Sequence, residues 1–138
     1  MTIYTLGYSG WHVDDVVNML KELDAILIDV RMAPRSRNPA FNGTSLARLG
    51  DGYAWLREFG NRNYKGGPIE IVDFEAGVTK VVQMTRLRKA LLLLCGCPDV
   101  NTCHRKIVAD RLAKLWSANV VHLSPPPKQE NPKQQLLF

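Results

Sequence analysis

Cysteine, histidine and long apolar runs are all scarce in this chain of 138 residues. The three cysteines fall between positions 95 and 103, an odd number too closely spaced for the disulfide framework of a small secreted domain. The longest unbroken apolar run, Ala90–Cys95, is far short of the ~20 residues that cross a bilayer. The first residues carry neither a basic cluster nor an apolar signal stretch. These absences predict a protein of the reducing cytoplasm with no membrane partner. Aromatics are few, at 8%, yet hydrophobic residues reach 46%, which supports a core and excludes global disorder. Acidic residues are the minority charge, 13 against 18 basic, for a net charge of +5. That excess favours phosphate-containing ligands or nucleic acid as partners.

The periodicity predicts a single α/β domain over residues 1–123. Ile3–Leu6 reads as a first strand, and Gly7-Tyr8-Ser9-Gly10 as a turn. His12–Leu23 has helical apolar spacing, and Ala25–Val30 reads as a strand covered on both faces. A loop with two prolines and three arginines follows, from Asp29 to Gly43. A helix is expected from Thr44 or Ser45 to about Phe59. A short strand is expected at Arg62–Lys65 and a helix at Asp73–Arg88, with Ile69–Val72 read as either a strand or the lead into that helix. Leu91–Leu94 is the next strand, Cys103–Ser117 a helix, and Asn119–Leu123 a last strand. Alternating strands and helices predict a three-layer sandwich, with a mostly parallel, Rossmann-like sheet of about five strands and flanking helices.

The chemistry gathers where strands end. Leu91–Leu94 stops at Cys95-Gly96-Cys97-Pro98, and a helix opens on Cys103-His104-Arg105. In open α/β sheets, ligands bind outside the carboxyl ends of the strands. Arg31, Arg35 and Arg37, with Arg105 and Ser9, are the expected anion-binding set, because guanidinium forks and helix N-terminal amides match phosphate. An arginine paired with Asp29 to hold the loop is the competing reading. Cys103 and His104 are the catalytic candidates, Cys103 as a thiolate favoured at a helix N-terminus. Tyr8, Asp29, Asn42 and Cys95 are expected to support the site, and His122 to be a core or edge histidine. Cys95-x-Cys97-x5-Cys103-His104 offers four soft or imidazole donors, but its first pair is closer than structural zinc sites use, so neither a metal nor another cofactor is expected.

At these residues the chain resembles the family catalogued as domain of unknown function 488. The resemblance lies in Thr5-Leu6-Gly7-Tyr8-Ser9, Asp29-Val30-Arg31, Pro34-Arg35-Ser36-Arg37, Asn38-Pro39, Phe41-Asn42, Leu94-Cys95 and Cys103-His104-Arg105, in order across about residues 3–123. Cys97 stands where the family often carries an acidic residue. The resemblance implies an α/β sandwich and a shared polar site built from Ser9, Arg31, Arg35, Arg37, Cys95, Cys103, His104 and Arg105. It implies no known reaction.

Residues 124–138 read as a tail, beginning with the stiff spacer Pro125-Pro126-Pro127. Its last residues, Gln134-x-x-Leu137-Phe138, resemble the peptides by which bacterial polymerases and repair proteins bind the sliding clamp. In such peptides a glutamine fixes the backbone and a Leu-Phe pair fills an apolar pocket. Gln135 and Leu136 depart from that pattern. Three functions are therefore expected to compete: an anion-binding module tied to DNA metabolism, a small enzyme acting on a nucleotide-like substrate, and a domain whose arginines only hold loops.

Overall fold

The computed structural model describes residues 1–127; the clamp-like peptide Gln134, Leu137 and Phe138 lies outside the described residues. Five parallel strands, β1 (Thr2–Gly7), β2 (Ala25–Asp29), β3 (Tyr53–Trp55), β4 (Ala90–Cys95) and β5 (Asn119–Leu123), form one sheet in the order β3-β2-β4-β1-β5. Helices α1 (Val13–Leu23) and α2 (Gly43–Leu46) cover one face, and α3 (Phe74–Met84) and α4 (His104–Trp116) the other. This is the three-layer α/β sandwich expected from the sequence.

The alternation of side chains across each strand builds the two core layers. In β4 every residue is buried. Leu91, Leu93 and Cys95 face Val108, Ala109 and Leu112 of α4, while Leu92 and Leu94 share the opposite layer with Val16 and Leu20 of α1. A fully buried leucine contributes roughly 1.5–3 kcal/mol, so the Leu91–Leu94 run anchors both layers. The helix ends follow ordinary rules. Asp14 and Asp15 sit in the first turn of α1 and Lys21 in its last, complementing the helix dipole. Asp73 caps α3 by accepting the Ala76 N–H at 3.1 Å.

Three expected elements are corrected. The helix from Thr44 to Phe59 does not form: α2 stops at Leu46, 3-10 turns run from Ala47 to Gly52, and β3 follows. Gly50, at φ 59° and ψ −125°, breaks the helical path, and Tyr53–Trp55 instead pair with Leu27–Asp29 of β2. Arg62–Lys65 is a turn and no strand. Its neighbour Asn61 makes a single antiparallel bridge to Ile71, and Ile69–Val72, short of a strand, is the lead into α3 and its cap Asp73. The helix expected to reach Arg88 ends at Met84 and closes with a 3-10 turn, Thr85–Leu87.

Ser124–Pro127 are exposed. Among the described residues, no helix is long and apolar enough to cross a membrane.

The connections set the position of the site. From β1 the chain passes by α1 to β2 on one side, whereas from β4 it passes by α4 to β5 on the other. Adjacent strands β4 and β1 therefore flank the switch point, where the loops diverge and leave a crevice at their carboxyl ends.

Candidate functional site

Asp29 closes β2, and Arg31 lies two residues on. Two residues apart on extended chain, their side chains point the same way. Arg31 Nε donates to Asp29 Oδ1 at 2.8 Å, and its Nη2 to Oδ2 at 2.6 Å. Both residues are buried. The same guanidinium donates to the carbonyls of Phe41 (2.8 Å) and Arg35 (3.4 Å), and lies over the Tyr8 ring. Tyr53 Oη donates to Asp29 Oδ2 at 2.7 Å, and Trp55 Nε1 to the Arg31 carbonyl at 2.8 Å.

The loop carries its own supports. Asn38 accepts the Ala40 N–H and caps the turn Pro39–Phe41, which delivers the Phe41 carbonyl to Arg31. Phe41 stacks on Tyr8 at 4.8 Å, and Asn42 Oδ1 accepts the Ser36 N–H at 2.7 Å. Arg31, Tyr8, Asp29 and Asn42 thus form one loop scaffold.

Arg105 performs the matching task on the β1 side. It is 2% exposed, donates from Nη1 to the Cys97 carbonyl at 2.6 Å, and from Nε to Thr5 Oγ1 at 3.3 Å. Thr5 Oγ1 lies 2.6 Å from Nδ1 of His122, which sits on edge strand β5. Burial pushes the His122 pKa down. Gly7 permits this junction: a Cβ there would stand 2.0 Å from the Cys97 carbonyl oxygen.

Between these supports opens a cleft of about 690 Å³. Tyr8, Arg31, Arg35, Cys95, Cys97 and His104 line it from the loops after β1, β2 and β4. Asn61, Asn63 and Tyr64 line it from the opposite side. The sequence reading omits that second wall. Its signal was an aromatic and a base beside two glycines, Tyr64-Lys65-Gly66-Gly67. Of the expected site residues, Arg35 is exposed in the cleft and, among the described residues, its side chain has no hydrogen-bond or ion-pair partner. Arg37 is exposed away from the lining, and Ser9 lines a neighbouring depression with Arg105 and His122. Arg31, Arg35, Arg37, Ser9 and Arg105 therefore do not converge on one point.

Cys95, Cys97 and His104 line the cleft, and Cys103 is buried next to them. Cys103 is the residue before the first turn of α4 and His104 the first within it. Nδ1 of His104 lies 3.9 Å from Cys103 Sγ and 3.9 Å from Cys95 Sγ, and Cys95 Sγ lies 3.8 Å from Cys97 Sγ. On the far side of the ring, Nε2 donates to the Val30 carbonyl at 2.6 Å. Hydrogen bonds from the Cys95 and Cys97 thiols, then from His104 and the Arg105 N–H, hold the Cys103 thiol below its ordinary range against the effect of burial. The Cys95 thiol is pushed up to about 11, first by its bond to Cys103. Burial depresses the His104 pKa, but the bonds to Cys103 and Val30 overcome it and raise it. Chemically, this places a thiol beside an imidazole at a helix N-terminus.

A family model described as "Domain of unknown function DUF488" matches residues 12–112. No curated protein and no solved structure matches the chain significantly. The matched stretch runs from the start of α1 to the buried face of α4, and contains Asp29, Arg31, Arg35, Cys95 and the Cys103-His104-Arg105 turn. The chain belongs to the DUF488 family.

Proposed function

We propose that the cleft binds a nucleotide-sized, phosphate-containing ligand. One observation carries this reading: an arginine with no partner among the described residues, Arg35, stands in a 690 Å³ cleft at the sheet's switch point. Small-molecule sites commonly span about 300–1,000 Å³ and sit at such points. The exposed ring of Tyr64 offers a base an apolar face, and the Asn61 and Asn63 amides offer polar contacts. Arg31 and Arg105 serve this site by holding its walls, leaving Arg35 to meet the phosphate. Arg37 extends the basic surface outside the cleft, and Ser9 lies in the neighbouring depression beside Arg105.

Equilibrium binding of a labelled mononucleotide and of a short labelled oligonucleotide, across a salt series, tests this. The expected result is saturable mononucleotide binding that is weakened in Arg35→Ala. Binding only to the oligonucleotide, with a steep inverse dependence on salt, would instead assign the basic surface to nucleic acid.

A second reading, an enzyme with Cys103 as nucleophile and His104 as its partner, is favoured by the 3.9 Å approach of Cys103 Sγ to His104 Nδ1 at the start of α4. It expects rapid alkylation of Cys103 at neutral pH. A link to DNA metabolism rests on the resemblance of Gln134, Leu137 and Phe138 to clamp-binding peptides, and is tested by capture of the full chain on an immobilised bacterial sliding clamp, lost on Phe138→Ala.

A further inference from the structure

The C-x-C-x5-C-H spacing argues against zinc only while the donors are counted along the chain. In the fold they arrive from two elements, a strand end and a helix start. The ligating atoms of Cys95, Cys103 and His104 all lie within 4.8 Å of one another, and all three residues are buried. Zinc–sulfur bonds of about 2.3 Å and zinc–nitrogen bonds of about 2.0–2.1 Å, in a tetrahedron, place two sulfurs about 3.8 Å apart and sulfur and nitrogen about 3.6 Å apart. Among Cys95, Cys103 and His104 both sulfur–Nδ1 separations are 3.9 Å, and Cys97, which stands outside that group, brings its sulfur to 3.8 Å from Cys95 Sγ.

The imidazole is oriented for this role. Its Nε2–H is committed to the Val30 carbonyl, so in the neutral ring Nδ1 turns a lone pair toward the sulfurs. A backbone carbonyl on the far nitrogen is the usual outer support of a metal-bound histidine.

We propose that Cys95, Cys97, Cys103 and His104 Nδ1 hold a zinc-class divalent ion at the floor of the cleft. Cys97, half-buried and lining the cleft, is the ligand nearest solvent. The ion ties the end of β4 to the start of α4, and its charge offsets that of the thiolates. Binding releases the thiol protons to solvent with no change of oxidation state. The proposal goes beyond the ligand-binding reading, and it opposes the free-nucleophile reading, because metal-bound thiolates resist alkylation.

The test uses the reduced full chain, stripped with a chelator and titrated with Co²⁺ alone and then Zn²⁺. The expected result is one equivalent of Co²⁺ bound, with the near-ultraviolet thiolate-to-cobalt charge-transfer band and intense visible bands of a tetrahedral site, displaced by Zn²⁺. Cys97→Ser should weaken Co²⁺ binding by at least about tenfold. Cys103→Ser should abolish the band, with circular dichroism reporting whether that variant folds. A measurement without variants stands beside these: mass spectrometry after iodoacetamide should find Cys97, the half-buried cysteine, labelled in the stripped protein and unlabelled with Zn²⁺ present. Folded protein that shows no charge-transfer band, or equal labelling with and without Zn²⁺, would overturn the proposal. Nucleotide binding that persists in protein unable to bind metal would sink the metal site alone. Metal binding without nucleotide binding would sink the ligand reading alone.

Discussion

Asp29 and Arg31 form a two-pronged buried ion pair, Nε to Oδ1 at 2.8 Å and Nη2 to Oδ2 at 2.6 Å, at the point where β2 gives way to the arginine-rich loop. The pair fixes that loop through the Phe41 and Arg35 carbonyls, so its first consequence is for folding. Removing one partner of a buried pair strands the other's charge. Arg31→Ala is expected to lower stability by about 3–5 kcal/mol, measured by denaturant unfolding. Arg31→Lys should recover only part of this, because an ammonium cannot reproduce the fork. A loss under about 1 kcal/mol for Arg31→Ala would show that the pair does not hold the loop.

Arg105 and Arg35 separate structure from binding. Arg105→Ala leaves Thr5 Oγ1 and the Cys97 carbonyl without their donor, and should cost about 1–3 kcal/mol or more. Arg35→Ala should stay within about 0.5 kcal/mol of the parent, as an exposed side chain outside any network does. Thermal melts of the two variants, run together, check this ordering.

Gly7 supports the same junction from β1. Its added methyl in Gly7→Ala would meet the Cys97 carbonyl oxygen at 2.0 Å and Arg105 Nη1 at 3.1 Å. Something must shift, and the expected cost is about 1–3 kcal/mol, with a changed near-ultraviolet signature from Tyr8. An unaltered melting temperature would contradict the close approach.

Tyr53 gives a signature in alkali. Burial, and next its hydrogen bond to Asp29, raise the Tyr53 pKa above the usual phenol value of 10.0. The folded state therefore holds this proton more tightly than the unfolded chain. The resulting stability is fully present below pH 10 and is lost as pH rises from there through the folded pKa. Denaturant midpoints between pH 8 and about pH 11 should fall more steeply for the parent than for Tyr53→Phe. Parallel curves would remove the phenol from the account.

Much of this was legible in the chain. The leucine run Leu91–Leu94 declares a central strand because it is apolar on both alternating faces and bounded by Gly96 and Pro98. The turn at Cys103-His104 marks the candidate site, because it opens a helix just beyond the carboxyl end of that central strand. Strand β3 was not legible. Leu46, Leu49, Leu56 and Phe59 fit a helix as well as they fit the actual turns, and three residues become a strand only by pairing with β2. The roles of the arginines were only half legible. A guanidinium in a loop reads the same whether it meets a ligand or a carbonyl, although Asp29, two residues before Arg31, was the available clue. The cysteine spacing shows distance along one chain direction only, whereas the fold brings Cys95 and Cys103-His104 together from a strand end and a helix start.

The most direct test of the account is a thermal-shift comparison of the parent and Arg35→Ala with inorganic phosphate, mononucleotides and short oligonucleotides. A ligand that binds only the folded state raises the melting temperature by mass action, by about 2.7 kcal/mol in stability at a hundredfold excess over Kd. The account predicts a rise with a mononucleotide in the parent, a much smaller rise in Arg35→Ala, and the same melting temperature for both proteins without ligand. No rise with any phosphate compound, or an equal rise in both proteins, would contradict it.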